Sequence, residues 1–236
     1  MAFARVEAVL FDMDGTLIEH TWQRQQIAGA LFAEFAGRLA PLTAEEFFDV
    51  FWSKNADMWY MMVDGVLDGD VGRLYSFRNT LRALGRGPAL AGPMLGYWDQ
   101  LILEEAIPFA DTYEVLEALR PHYKTGIITN GYRTLQRAKI AKYRLADYVD
   151  ITLVSEEAGC HKPDPCIFEQ ALALLDGVPP ERAIFVGDTP ETDIAGAQNA
   201  GLIPVWIAPR RQAGGPGDEV LKIGVLRELL EMLPAP

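Results

Sequence analysis

Two aspartates lie close together near the start of the chain, in the run Asp12-Met13-Asp14-Gly15-Thr16. Because residues two apart in an extended chain point to the same side, both carboxylates can face one pocket. An ionised carboxylate can attack phosphorus and form an acyl-phosphate, while its neighbour moves a proton to the leaving oxygen and then from water. The same spacing also occurs in calcium-binding loops and in plain turns, so this pair alone leaves both interpretations open.

Five further polar positions follow later apolar runs. Thr129 and Asn130 end one run, where a hydroxyl and backbone N–H groups at the start of a helix can hold phosphate oxygens. Lys162 precedes a helix-like segment, and Asp188 and Asp193 lie near the start of another. Each position can also have an ordinary structural role. The threonine can simply end a strand, the lysine can be solvated, and either aspartate can cap a helix.

The apolar runs that precede these positions are interpreted below as the strands of an open parallel sheet. Ligands of such a sheet bind outside the carboxyl ends of its strands, so the fold brings these positions together. The carboxylates of Asp12, Asp14 and Asp188 repel one another unless a cation lies among them, and Mg²⁺ prefers oxygen ligands with water and phosphate. Lys162 can neutralise Asp12 and a phosphate oxygen, so that an anionic nucleophile approaches an anionic ester. We therefore predict a magnesium site and a small phosphorylated metabolite as the substrate.

Five short apolar runs, rich in Val and Ile, predict buried strands that alternate with helical segments. The intervening helical segments have lengths that suit crossovers between parallel strands. The predicted strands are residues 6–11, 125–129, 148–154, 183–186 and 202–207, and the predicted helices are residues 112–119, 134–143, 165–175 and 193–200. This pattern indicates an α/β fold with a doubly wound parallel sheet.

A long insert separates the first predicted strand from the rest of the sheet, and it far exceeds an ordinary connection. The insert is dense in aromatic and long apolar side chains, and turn-like breaks divide it into about four helices. We predict an α-helical cap at 19–105 and a catalytic core formed by 1–18 and 106–236, with hinges near 18–20 and 105–108. The cap tryptophans are expected mainly in its own core.

Composition argues against several classes of function. The 236-residue chain has a net charge of −12, which repels a nucleic-acid backbone, and we find no basic stripe that offsets it. No apolar run approaches the roughly 20 residues that cross a bilayer. Cys160 and Cys166 fit no disulfide framework, so we expect no disulfide dependence and a cytoplasmic location. We predict no nucleic-acid or membrane partner, and the sequence does not indicate an oligomeric state.

Together these motifs resemble the haloacid dehalogenase (HAD) superfamily over nearly the whole chain. The residues that carry the resemblance are Asp12-x-Asp14-Gly15-Thr16, Thr129, Lys162-Pro163, Gly187-Asp188-Thr189 and Asp193. A helical insert just after the first motif is similar to the subfamily with a C1-type cap. The resemblance implies a Rossmann-like core with strand order 3-2-1-4-5.

The resemblance also implies a role for each motif residue. It makes Asp12 the nucleophile and Asp14 the general acid and base. Thr129 becomes a phosphate ligand, Lys162 organises the charges, and Asp188 with Asp193 forms the magnesium side, Asp193 in the outer shell. Because the dehalogenase members lack the second aspartate of the first motif and use no metal, Asp14 favours a phosphatase.

The core stretches 127–131, 154–159 and 186–193 are similar to those of nucleotide 5′-phosphatases and acylneuraminate-9-phosphate phosphatases. This resemblance implies a nucleoside monophosphate or a sugar phosphate as the substrate. Phosphoglycolate-type phosphatases and sugar phosphomutases are built on similar motifs and remain alternatives. A binding protein that retains the metal site without turnover is a third.

Overall fold

The computed structural model describes residues 5–208, 217 and 219–233. Its strands are β1 (Ala8–Phe11), β2 (Ile18–His20), β3 (Ala106–Pro108), β4 (Lys124–Thr129), β5 (Ile151–Val154), β6 (Ala183–Gly187), β7 (Ile203–Ile207) and β8 (Leu221–Ile223). Its α-helices are α1 (Arg24–Leu39), α2 (Ala44–Val63), α3 (Gly69–Ala83), α4 (Ala91–Glu105), α5 (Thr112–Leu119), α6 (Arg133–Lys142), α7 (Ser155–Ala158), α8 (Pro165–Leu174), α9 (Ala195–Asn199) and α10 (Glu228–Met232).

Six strands form one sheet in the order β5-β4-β1-β6-β7-β8, and each pairing between neighbours is parallel. All four residues of β1 are buried in the middle of this sheet, as expected for a parallel strand covered on both faces. The five strands β5, β4, β1, β6 and β7 have the order 3-2-1-4-5 when numbered along the chain. The doubly wound α/β fold and its strand order are therefore confirmed.

The sheet differs from the prediction at two places. The short strand β8 adds a sixth member beside β7, and its three residues carry too little pattern to be recognised in the sequence. The strand predicted at 148–154 begins only at Ile151, because a 3₁₀ turn at Leu145–Asp147 precedes it. Next to this turn the Asp150 carboxylate accepts the Thr125 backbone N–H at 2.7 Å. At this point a side chain, and not the backbone of a neighbouring strand, pairs with that N–H.

The chain divides into two compact units. Unit 1 contains the six-stranded sheet and comprises Met1–Glu19, Ile107–Gly131 and Gln136–Pro236. Unit 2 contains α1 to α4 and comprises His20–Ala106 and Tyr132–Leu135. The chain passes between the units within β2 and β3, which pair with each other as a separate two-stranded sheet. The domain boundaries, the cap role and the hinges predicted from the sequence stay predictions.

The interior of unit 2 combines aliphatic side chains, such as those of Leu31 and Met94, with a cluster of aromatic rings. Phe51 is 2% exposed, and its ring centroid lies 4.6 Å from that of Phe77 and 5.5 Å from that of Trp98. Trp52 also packs against this cluster, whereas Trp22 is 40% exposed. Unit 2 therefore has a core of its own, and two of the tryptophans expected there contribute to it.

Two further sequence predictions concern membrane-spanning helices and a surface loop. Among the described residues, no helix is both long and apolar enough to cross a membrane. The sequence also predicts a glycine-rich surface loop at 213–218, which lies outside the described residues except for Gly217.

Candidate active site

Asp12 directly follows β1, the strand that lies between β4 and β6. Its backbone N–H donates to the Val186 carbonyl at 2.8 Å, so pairing with β6 continues to this residue. Only 6% of Asp12 is exposed. Because a buried carboxylate is costly to ionise without a partner, the groups around Asp12 determine its chemistry.

Lys162 is the cationic partner of Asp12. Its Nζ lies 2.5 Å from Asp12 Oδ1 and 2.7 Å from Asp193 Oδ1, and the lysine is 2% exposed. Burial alone would lower the pKa of Lys162, but the two carboxylates more than offset it and raise that pKa above its usual range. Burial raises the pKa of Asp12, the charge of Lys162 opposes this, and Asp193 and Asp188 add to it. The ammonium of Lys162 therefore lies among several carboxylates that compete for it.

Asp12, Asp188 and Asp193 each place one carboxylate oxygen within 4.8 Å of those of the other two. Asp193 is 1% exposed and accepts the Thr189 backbone N–H at 3.0 Å. Burial, followed by the charge of Asp193, raises the pKa of Asp188 from 3.8 to about 6. The carboxylates of this group repel one another, and a bound divalent cation would offset that repulsion. Mg²⁺ prefers such oxygen ligands, so the group fits this ion. Asp193 thus lies within this carboxylate group, although the sequence suggested the outer shell.

Two glycines leave room for these carboxylates. A Cβ atom at Gly15, where φ is +90°, would lie 2.3 Å from Asp188 Oδ2. A Cβ atom at Gly187 would lie 2.4 Å from the Cβ of Asp193. Such approaches are far inside van der Waals contact, so a side chain at either position must displace a carboxylate.

The carboxylate of Asp14 has different partners from that of Asp12. Lys139 Nζ lies 2.7 Å from Asp14 Oδ1, and Gln136 Nε2 donates to Asp14 Oδ2 at 2.8 Å. Asp14 is not a member of the carboxylate group formed by Asp12, Asp188 and Asp193. Its acid/base role and its predicted metal ligation stay predictions, and this position of the side chain does not favour ligation.

Thr129 and Asn130 lie at the end of β4, as the sequence predicted. Thr129 is 1% exposed, and its Oγ1 accepts from Gln136 Nε2 at 2.6 Å. The Asn130 side chain forms a reciprocal pair with the Lys162 backbone: its Nδ2 donates to the carbonyl at 2.8 Å, and its Oδ1 accepts the N–H at 2.9 Å. The side chain of Asn130 therefore fixes the segment that carries Lys162, and phosphate binding by Asn130 stays a prediction.

Sequence reasoning missed Gln136 and Lys139, which are 2% and 3% exposed. Both lie on α6, where Gln136, Lys139 and Ile140 are the buried residues. The available signal was their spacing of three residues, which places them on one helical face directly after Thr129. Polar residues with this spacing usually indicate a solvated face, so the pattern alone did not distinguish them.

The two cysteines correct an expectation from the sequence. Cys160 and Cys166 form a disulfide, and the Gln170 Nε2 lies 3.3 Å and 3.2 Å from their sulfurs. The bond closes the loop that contains Lys162. The expectation that these cysteines fit no disulfide is therefore wrong in this structure, whereas independence from the bond stays a prediction. The cytoplasmic location, which was argued from cysteine usage, stays a prediction without that support.

Similar proteins share both the sequence and the fold of this chain. The pyrimidine 5′-nucleotidase YjjG of Escherichia coli (strain K12) is 31% identical over 199 residues, which are 84% of this chain and 84% of that protein. The N-acylneuraminate-9-phosphatase of Homo sapiens is 40% identical over 111 residues, which are 47% of this chain and 44% of that protein.

Two solved structures cover nearly the whole chain. A 2-haloacid dehalogenase from Pseudomonas syringae pv. Tomato DC3000 has a TM-score of 0.73 and 27% identity, with 96% of this chain and 97% of that chain covered. The HAD hydrolase YfnB from Bacillus subtilis, bound to magnesium, has a TM-score of 0.68 and 24% identity, with coverages of 98% and 100%. The second likeness shows the fold alone.

A family model described as haloacid dehalogenase-like hydrolase matches residues 6–201. This match includes Asp12, Thr129, Lys162 and Asp188, the residues that the fold gathers at the strand ends. The relatives over this region include phosphatases and nucleotidases. The chain therefore belongs to the haloacid dehalogenase-like hydrolase family, and it is a phosphoric monoester hydrolase.

Proposed function

We propose that this protein is a magnesium-dependent phosphatase that hydrolyses a nucleoside monophosphate or a sugar phosphate through an aspartyl-phosphate at Asp12. The observation that carries the proposal is the environment of the Asp12 carboxylate. It contacts the ammonium of Lys162 and belongs to a group of carboxylates with Asp188 and Asp193. This arrangement suits an anionic nucleophile that must approach an anionic phosphate.

Asp12, Asp188 and Asp193 are the residues that would hold the cation. Bound Mg²⁺ supplies positive charge against the negative charge that develops on the phosphoryl oxygens. Lys162 neutralises Asp12 at the same time, because its ammonium lies between Asp12 and Asp193. Thr129 is suited to bind a phosphate oxygen. Its Oγ1 accepts from Gln136, and its own hydroxyl donates to the Asn130 carbonyl over 3.5 Å, a weak hydrogen bond that a phosphate oxygen can replace.

Two steps complete the turnover. In the first step an oxygen of Asp12 attacks phosphorus, the ester P–O bond breaks, and Asp14 gives its proton to the leaving oxygen, which departs as an alcohol. In the second step water attacks the phosphorus of the aspartyl-phosphate and gives a proton to Asp14, and the bond between phosphorus and Asp12 breaks. Inorganic phosphate leaves, Asp12 is again ionised and Asp14 again carries its proton.

Unit 2 is proposed to be the cap that selects the leaving group. The residues of the carboxylate group and its lysine all belong to unit 1, so they handle the phosphoryl group common to all substrates. A separate helical unit with its own core can vary in sequence without changing that chemistry. The nucleotidase and the acylneuraminate phosphatase among the relatives support nucleotides and sugar phosphates as the substrate classes.

The test is a screen of phosphorylated metabolites with magnesium, in which released phosphate is measured for the wild type and Asp12→Asn. We expect release from one or more nucleoside monophosphates or sugar phosphates, its loss on chelation of the metal, and its loss in Asp12→Asn. Asp176→Asn is the matched control, because this aspartate of unit 1 has an 86% exposed side chain, and it should keep full activity. Unchanged release in Asp12→Asn contradicts the nucleophile, and isomerised sugar phosphate without free phosphate indicates a mutase.

A further inference from the structure

Helix α6 holds both carboxylate oxygens of Asp14. Lys139 Nζ contacts Oδ1 at 2.7 Å, and Gln136 Nε2 donates to Oδ2 at 2.8 Å. These contacts link residues 125 and 122 positions apart in sequence, so they depend on the folded sheet. All three residues belong to unit 1.

The two α6 side chains are more deeply buried than the carboxylate they contact. The side chain of Lys139 is 4% exposed, whereas that of Asp14 is 28% exposed. Burying an ammonium or an amide costs free energy unless the group is paired, so the folded state depends on these contacts with Asp14. Asp14 itself is partly exposed, so solvent and a substrate can reach its carboxylate.

Gln136 also links Asp14 to the predicted phosphate ligand. The same Nε2 that donates to Asp14 lies 2.6 Å from Thr129 Oγ1 and 3.2 Å from the Asn130 carbonyl oxygen. The glycine between Asn130 and α6 makes this approach possible, since a Cβ at Gly131 would lie 2.9 Å from the Gln136 side chain. One amide therefore fixes the orientation of two side chains that the proposed reaction uses.

We propose that Gln136 and Lys139 are positioning residues that hold Asp14 in the orientation required for proton transfer, and that Gln136 also orients the hydroxyl of Thr129. This inference rests on the proposed function, in which Asp14 protonates the leaving oxygen. Contacts to both oxygens fix the plane of the Asp14 carboxyl group, and a fixed plane gives the transferred proton a defined direction.

The proposal is tested with two esters that differ in their need for a proton. One is p-nitrophenyl phosphate, whose phenolate leaves without protonation, and the other is the best metabolite ester from the screen, whose alkoxide does not. In Gln136→Met and in Lys139→Met, we expect kcat/KM for the metabolite ester to fall about 100-fold and that for p-nitrophenyl phosphate to fall less than about 10-fold. The comparison uses kcat/KM because it covers only the steps up to departure of the leaving group, whereas kcat also contains the hydrolysis step that both esters share. Asp14→Asn should show the same selectivity.

Two further readouts separate positioning from general damage to the fold. Adding Lys139→Met to Asp14→Asn should cause no further loss, because positioning has no effect once the positioned group is gone. Inhibition by inorganic phosphate should weaken in Gln136→Met but not in Lys139→Met, since Gln136 contacts Thr129. Lys142→Met is the control: it removes an exposed lysine from the same helix and should match the wild type with both esters.

Equal losses of kcat/KM with both esters, or additive losses in the Asp14→Asn background, would overturn the inference while leaving the proposed function intact. If instead the wild type releases no phosphate, or Asp12→Asn retains activity, the proposed function itself fails. Thermal unfolding of each variant shows whether it is folded, and the ratio of the two kcat/KM values stays interpretable even where a variant is less stable.

Discussion

The site of unit 1 and the core of unit 2 are buried in contrasting ways. The site buries Asp12, Lys162 and Asp193, whose charges depend on one another. The core of unit 2 is apolar and includes a cluster of aromatic rings around Phe51, with the buried Arg73 paired to Asp99 as a polar exception. Mutual dependence means that one lost charge leaves another uncompensated, whereas a lost ring leaves a cavity. The two regions should therefore respond differently to substitution.

The largest effect is expected for Lys162→Met, which removes the ammonium from the site. We expect phosphate release to fall at least about 10³-fold, because a charge aimed at the phosphoryl group is lost. We also expect the free energy of unfolding to fall by about 3 to 5 kcal/mol, since Asp12 and Asp193 are left facing each other while buried. Adding Asp193→Asn should recover part of the stability, measured by urea unfolding, but none of the activity. A stable Lys162→Met protein would contradict the mutual dependence.

In unit 2 the corresponding change is Phe51→Ala. We expect it to lower the free energy of unfolding by about 3 to 5 kcal/mol, because a buried ring is replaced by a cavity. Urea unfolding measures this effect, and Tyr60→Ala on the same helix is the control. The Tyr60 side chain is among the exposed large hydrophobics at 66%, so its loss should change stability by less than about 0.5 kcal/mol. Similar losses in both variants would indicate that the aromatic cluster does not stabilise unit 2.

A third prediction concerns pH and the carboxylate group. Asp188 has a pKa of about 6 in the folded chain and an ordinary value of 3.8. Between these two pH values the folded state therefore keeps a proton on Asp188 that the unfolded state has lost. Without metal, stability should therefore fall as pH rises from about 4 to 6, by about 3 kcal/mol from this group. The difference in unfolding free energy between the wild type and Asp188→Asn across this range isolates the effect. Magnesium should restore stability to the wild type at pH 7, and a pH-independent difference would contradict the shift.

The smallest effect is expected for the disulfide, which is a covalent link within unit 1. Cys160 and Cys166 are six positions apart, so the closed loop is short. Reducing the bond, or replacing both cysteines by serine, should lower the free energy of unfolding by about 2 kcal/mol, because the unfolded chain gains freedom. Thermal unfolding with and without a dithiol measures the change. An identical transition in the double variant and in the oxidised wild type would show that the bond adds no stability.

The parallel sheet was predictable because its strands are short apolar runs that end at polar turns. The same logic gathered Asp12, Thr129, Lys162 and Asp188, since the carboxyl ends of parallel strands share one edge. Neither step required side-chain detail. The strand order itself came from the resemblance to a known family, because apolar runs do not state which strands are neighbours.

The partners within the site were not predictable in this way. Whether Gln136 faces solvent or Asp14 depends on how α6 is rotated against the sheet, and a polar helix with few apolar residues leaves that rotation undetermined. The approach of Cys160 to Cys166 likewise depends on the path of the loop around Lys162. In both cases the information lies in long-range packing rather than in local spacing.

Gly187 is needed for its small size and not for its backbone conformation. Unlike Gly15, it has no positive φ, so any residue could adopt its conformation, and the three atoms nearest to an added Cβ all belong to Asp193. In a related chain, a larger residue at this position would mean that the aspartate corresponding to Asp193 is absent or displaced. Whether a distant homologue keeps the charged site can thus be read from a residue that carries no charge.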